Sequence, residues 1–261
     1  MNVPLDLLLW PFAVGVLVLA THVPLGRRVL ARGIIFLDLA VAQFAVLGVV
    51  AAHALDLAAA GWPTQFAAAA AALAGAALLA ACERRWPEIQ EALIGSSFVV
   101  AASLAVLLLA HDPHGGEHLA GLMSGQVLWA TPAQAAQLAV LTVMLGAILA
   151  WRGERLGGLG FYLVFALAIT ASVQLVGVYL VFASLILPAL ALRGLPARAA
   201  LPAGWAAGAL AYAAGLVVSA AGDWPAGPAI VVALALGAAT LGLARRFAEI
   251  CQQVAAKGRR R

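Results

Sequence analysis

Long apolar runs alternate with short polar or basic patches along the whole of this chain. The runs cover residues 7–25, 33–55, 65–81, 92–110, 133–150, 159–192, 199–221 and 229–244. A helix needs about 20 apolar residues to cross a hydrocarbon core about 30 Å thick. The pattern therefore predicts an all-α integral membrane fold, a polytopic bundle of eight or nine transmembrane helices. Residues 1–246 are expected to form the membrane domain and residues 247–261 a basic tail.

The sixth run, 159–192, is the longest, and it lies between Arg155 and Arg193. If both arginines stay on one side of the membrane, the chain must enter and return as a short late hairpin. Two legs of about 16 residues would each reach ~24 Å at 1.5 Å per residue. A turn near Val176-Gly177 fits that length. Short or broken helices persist in a membrane only where protein buries them or water reaches them, so the hairpin points to a translocation pathway. One long tilted helix is the alternative. The Ala-rich stretch 67–81 suits close helix packing, because small residues let backbones approach. No internal repeat and no soluble domain interrupt the pattern.

Charge gives the expected orientation. The fifteen Lys and Arg residues fall into five clusters: Arg27/Arg28/Arg32, Arg84/Arg85, Arg152/Arg155, Arg193/Arg198, and a tail from Arg245 to Arg261. The turns at 56–63, 111–118 and 223–228 contain none. Basic residues stay on the cytoplasmic side, which puts the N-terminus outside and the C-terminus in the cytoplasm of a multi-pass inner-membrane protein. Residues before the first run carry no Lys or Arg, so no signal peptide is expected and the first span should be retained. Composition agrees: 65% of residues are hydrophobic and 10% charged, too few charges to cover a soluble domain. Cys82 and Cys251 each adjoin a basic cluster, which argues against a disulfide framework. The basic tail is expected against anionic lipid headgroups rather than nucleic acid.

The motifs of catalysis are missing. There is no Gly-x-x-x-x-Gly-Lys-Ser/Thr loop, and Lys257 is the only lysine. His-Glu-x-x-His and Gly-x-Ser-x-Gly are absent too. The chain reads as a transport subunit and not an enzyme, with any ATP hydrolysis supplied by a separate chain.

Several polar residues stand out against this background. Asp38 is an acidic residue well inside an apolar run, and an ionisable group there is a functional hypothesis by default. It would attract or coordinate a divalent cation, or else pair with Arg32. At 100° per residue Gln43 is rotated by ~140° from Asp38, so a regular helix cannot aim both into one pore. His53 lies ~60° from Asp38 in phase and ~22 Å further along the axis, at the outer mouth of the same face. The outer loop His111-Asp112-Pro113-His114-Gly115-Gly116-Glu117-His118 gathers three imidazoles and two carboxylates in eight residues. Imidazole and carboxylate suit zinc well and manganese acceptably, so His111, His114, Glu117 and His118 are candidate metal ligands on an adaptable loop. Gln174 and Ser184 in the hairpin either line the path or bond neighbouring helices. The turn Arg193-Gly194-Leu195-Pro196-Ala197-Arg198 offers a compact apolar and basic knob to a soluble partner.

Four segments carry a family resemblance. They are Arg32-Gly33 through Asp38 to Gly48, Gly125 to Pro132, Val173-Gln174-Leu175-Val176-Gly177 through Pro188-Ala189, and Asp223-Trp224-Pro225-Ala226-Gly227-Pro228. In this order they resemble the membrane permeases of zinc and manganese ATP-binding-cassette importers. Many members carry histidine where this chain has Gln43, and their aspartate sits one position after Asp38. The resemblance implies a permease homodimer, two ATPase subunits docked inside, and an extracytoplasmic metal-binding protein that delivers a transported divalent metal, zinc favoured over manganese. No permanently bound cofactor is implied. It also implies a short helix near Arg193, Gly194, Pro196 and Arg198 that receives the ATPase's motion. The acidic outer loops favour cations. A secondary cation transporter, or a permease for a metal chelate such as a siderophore or cobalamin, are the alternatives.

Overall fold

A computed structural model describes residues 5–55, 62–110, 112–152 and 155–258. Among these residues the fold is wholly helical: α1 (Leu5–Arg32), α2 (Leu37–Ala54), α3 (Trp62–Arg85), α4 (Gln90–Leu108), α5 (Gly115–Ser124), α6 (Pro132–Arg152), α7 (Gly158–Val176), α8 (Val178–Ala191), α9 (Ala197–Gly222) and α10 (Ala226–Gly258). Eight helices are long and apolar enough to cross a membrane. The ninth apolar helix, α8, has 14 residues and at 1.5 Å per residue reaches only ~21 Å.

The long sixth run is indeed a hairpin, but its legs are unequal, 19 residues in α7 and 14 in α8. Gly177 separates them at φ 81°, ψ 162°, a backbone region essentially confined to glycine. The histidine-rich loop also differs from a purely flexible segment. Its histidine-rich start gives way to helix α5, which ends at Gly125 with φ 72°, ψ 169°. At the other terminus α10 continues as helix through Gly258, past the apolar stretch Ala226–Phe247.

The bundle is layered. In α2 the apolar window is 67% buried, against 17% for the span containing α4. Helices α1, α2, α7 and α8 pack centrally, while α3, α4, α6, α9 and α10 surround them. Small residues make the central contacts close. A Cβ at Gly48 would strike the backbone of Ala67 and Ala68 on α3, and one at Gly26 the backbone of Leu185 on α8. Such fits replace hydrophobic drive as the source of helix association in lipid.

The two ends of the bundle differ in chemistry. At one end Arg32 stacks on Phe161, 4.1 Å from the ring centroid, Gln90 hydrogen-bonds Tyr162, and Arg27 and Arg245 reach the turn between α8 and α9. The basic clusters thus gather at this end. At the other end His53 meets His118, and Gly125 and Gly227 meet the α7–α8 break and Ser124.

Candidate functional site

A cavity of about 650 Å³ opens at the histidine end. Helix α2 contributes His53, α3 contributes Thr64 and Gln65, and the start of α5 contributes His114, Glu117 and His118. Gln126, Trp129 and Gln134 come from the segment leading into α6, and Gln174 and Leu175 from the tip of α7. Among the described residues four amides, three imidazoles and one carboxylate therefore share one vestibule. Thr64, Gln65, Gln126, Trp129 and Gln134 were not singled out in the sequence. Their signal was available: polar side chains sit beside the turns Trp62-Pro63 and Thr131-Pro132, where an apolar run starts.

His53 is the best-defined group in this vestibule. Its Nδ1 lies 3.0 Å from the carbonyl oxygen of Val49. A carbonyl can only accept, so Nδ1 carries a proton, and a ring with a single proton would have its lone pair on Nε2. That is the tautomer a metal-ligating histidine needs, with the other ring nitrogen held by a carbonyl. The His118 ring meets it edge-on, with centroids 4.8 Å apart at 67°. Asp112 is turned back into its own loop, accepting from the His114 N–H at 2.9 Å. Among the described residues no three His, Cys, Asp or Glu side chains are arranged to hold an ion. His111 lies outside the described residues. The vestibule thus brings His53, His114, Glu117, His118 and Gln174 together without assembling them into a closed cage.

The other sequence candidates lie deeper. Asp38 occupies the first turn of α2 and is 1% exposed. The free amides and positive dipole end of a helix start favour a carboxylate, and the amides of Asp38 and Leu39 face it. Beyond these, neither carboxylate oxygen has a hydrogen-bond partner. Arg32, the pairing partner considered from sequence, is engaged with Phe161 instead. Gln43 donates to Met123 Sδ of α5 at 3.6 Å, tying α2 to α5. Ser184 is fully buried, donates to the Leu180 carbonyl at 2.6 Å, and lies 2.8 Å from the Tyr212 hydroxyl on α9. Neither residue lines the cavity.

One buried group went unnoticed in the sequence. His22, within α1, is fully buried, its Nδ1 is 2.9 Å from the Val18 carbonyl, and its Nε2 has no partner. The overlooked signal was simply a histidine inside an apolar run.

Comparison with known proteins fits this geometry. A sequence model of the ABC 3 transport family matches residues 5–157 and 154–241. The chain belongs to that family. It is a multi-pass transport subunit that catalyses no reaction itself. In the solved structure of PsaBC from Streptococcus pneumoniae in complex with Fab, a chain superposes with a TM-score of 0.68 at 18% identity, covering 92% of this chain and 91% of that one. An inward-facing transporter described as of the metal-chelate ABC type gives 0.64 at 17% identity, with 89% and 84% covered. These two establish a shared fold. Comparison with curated protein sequences finds no match.

The proposed ATPase contact has a simpler shape than the resemblance implied. Residues 192–196 form a turn, not a separate short helix, and run directly into α9. Gly194 adopts φ 82°, Pro196 precedes the first residue of α9, and Arg193 and Arg198 are both exposed.

Proposed function

We propose that this chain is the membrane half of an ATP-driven importer for divalent metal ions, with zinc favoured over manganese. Two copies pair around the path, two ATPase subunits dock at the basic end, and an extracytoplasmic binding protein delivers the ion to the vestibule. The N-terminus lies outside and the C-terminus in the cytoplasm.

The observation that carries this reading is the vestibule at the end opposite the basic clusters, with His53 Nδ1 held by the Val49 carbonyl and its ring beside His118. Imidazole-rich donors favour zinc, whereas manganese prefers carboxylate and water oxygens. Among the described residues Glu117 is the one carboxylate that lines this cavity. One of the two solved structures named above is described as a metal-chelate type ABC transporter. Asp38, nearer the basic end, is the next carboxyl group available to an ion that has passed the mouth. His53, His114, Glu117 and His118 would act at capture, Gln174 at the floor.

Uptake of radiolabelled zinc by a deletion strain carrying the chain, challenged with excess manganese and with a metal chelate, tests the assignment. Zinc uptake that only unlabelled zinc competes for is expected; competition by the intact chelate alone would replace the ion reading. That second reading is kept because a cavity of about 650 Å³ is roomier than a bare ion requires.

Replacing His53 and His118 together with alanine should raise the zinc concentration needed for half-maximal uptake by about 10–100-fold, the usual effect of weakening a metal site. An unchanged requirement would demote the vestibule histidines. Exchange of Arg193 and Arg198 for glutamate should sharply reduce co-purification of the ATPase, since a basic knob would then repel its former partner. Sidedness has its own check. In the His114→Cys variant an impermeant thiol reagent should label intact cells, while Cys82 and Cys251, which adjoin basic clusters, stay protected until the membrane is opened.

A further inference from the structure

Two arginines from separate helices converge on the α8–α9 turn. Arg27 of α1 donates from Nη2 to the Leu195 carbonyl at 2.9 Å. Arg245 of α10 donates from Nη1 to the carbonyls of Ala191 at 2.7 Å and Arg193 at 3.2 Å. Both are half-buried, whereas Arg193, Arg198 and Arg246 are exposed. A basic residue that served only to fix sidedness would point to headgroups and water. These two instead span the turn from both flanks.

The bonded atoms are the ones that need partners. The last carbonyls of a helix have no intrahelical donor and carry the negative end of its dipole. Ala191 is the final residue of α8, so a guanidinium there satisfies an orphan carbonyl and its charge together. The turn's side chains add little restraint of their own, because Arg193, Gly194 and Pro196 are exposed.

Packing divides the same region in a second way. Ala191, Leu192 and Ala200 form a small apolar cluster with Leu195, Ala238 and Leu241, separate from the main core. The turn, the start of α9 and the middle of α10 therefore pack as one small body. Arg245 lies within that body. Arg27 joins it to α1, whose residues Val14, Val18, Leu25 and Val29 belong to the main core.

We infer that Arg27 and Arg245 are positioning residues that hold the α8–α9 turn stiff, so that motion of the docked ATPase passes into α1 and α10. The inference rests on the turn being the ATPase contact. With the two struts removed the ATPase still docks on Arg193 and Arg198, but its movement is absorbed by bending the turn.

The test uses the complete complex, permease with its ATPase and binding protein, in sealed vesicles. Zinc transported per ATP hydrolysed is measured for Arg27→Ala, Arg245→Ala and the corresponding lysine variants. In the alanine variants the ATPase should co-purify normally and basal hydrolysis should persist. The transport-to-hydrolysis ratio should fall at least about fivefold, a typical coupling effect. The lysine variants should recover part of the ratio, because a point charge restores a donor but not the planar fork. A wild-type ratio in both alanine variants overturns the inference, and so does loss of ATPase binding in the lysine variants. If the alanine variants fail to accumulate, Arg27→Gln and Arg245→Gln carry the same measurement. Normal ATPase binding after exchange of Arg193 and Arg198 for glutamate would instead sink the docking reading, whatever the ratio.

Discussion

Asp38→Asn is expected to leave the chain in the membrane and to lower zinc uptake about 100-fold or more. The side chain is 1% exposed, and beyond the amides at its own helix start its oxygens have no hydrogen-bond partner. Asparagine keeps the shape and one acceptor oxygen while removing the charge. If a cation passes this point, the variant loses one member of a buried charge pair. Breaking such a pair costs about 3–5 kcal/mol, and each 1.4 kcal/mol is tenfold. Folding should suffer much less, because an uncharged amide is easier to bury than a carboxylate. The measurement is uptake in a deletion strain, normalised to permease in the membrane fraction. Wild-type uptake at normal abundance would remove Asp38 from the path. Loss of the protein from the membrane would make the residue a folding determinant instead.

The second large effect is expected at Gly177. Its φ 81°, ψ 162° lies in a region that costs a side-chain-bearing residue about 1–3 kcal/mol. Space is also lacking, since a Cβ there would run into the backbone of Met123, Ser124 and Gly125. Overpacking of this kind typically costs about 1–3 kcal/mol more. The contact is reciprocal: Gly125, at φ 72°, would bring its own Cβ against Val176 and Gly177. The Gln126 N–H completes the join by donating to the Leu175 carbonyl at 3.3 Å. Gly177→Ala should therefore lower the midpoint of thermal unfolding in detergent and sharply reduce uptake, by prising α5 and the vestibule floor from the hairpin tip. Gly146→Ala is the control. A Cβ there meets open space, and alanine in a helix is favoured by up to about 1 kcal/mol, so stability should hold or rise. Equal behaviour of the two variants would show that the glycine contact does not hold the tip.

Much of the fold could be read from one dimension, for a specific reason. In lipid every backbone polar group must bond within its own helix, so hydropathy and helix length nearly coincide. The hairpin was legible too, because Arg155 and Arg193 bracket a run too long for one span and too short for two full ones. Its turn was expected near Val176-Gly177, and Gly177 is the break; equal legs of about 16 residues were not found, because α7 has 19 and α8 has 14. Helix α5 was hidden by its composition: Gly115-Gly116 at its start argues for a loop. The turn at 192–196 went the other way, its expected short helix coming from relatives and not from its own residues.

The site was legible in part. His53, His114, Glu117, His118 and Gln174 do share one cavity, but the place of Gln65 and Gln134 beside the turns Trp62-Pro63 and Thr131-Pro132 does not say what they meet. Helical phase sets Gln43 apart from Asp38, yet only packing revealed that Gln43 reaches Met123.

By itself the sequence determined the membrane class, the segregation of basic residues from histidines and the place of the hairpin, because transfer free energy is a property of each residue and sums along the chain. Tertiary structure alone decided which polar groups meet: imidazole on imidazole at the vestibule, glycine on glycine at the hairpin tip, and guanidinium on carbonyl beneath α8. Such contacts join residues far apart in the chain, and their energy depends on distance and direction, which no running average of hydropathy contains.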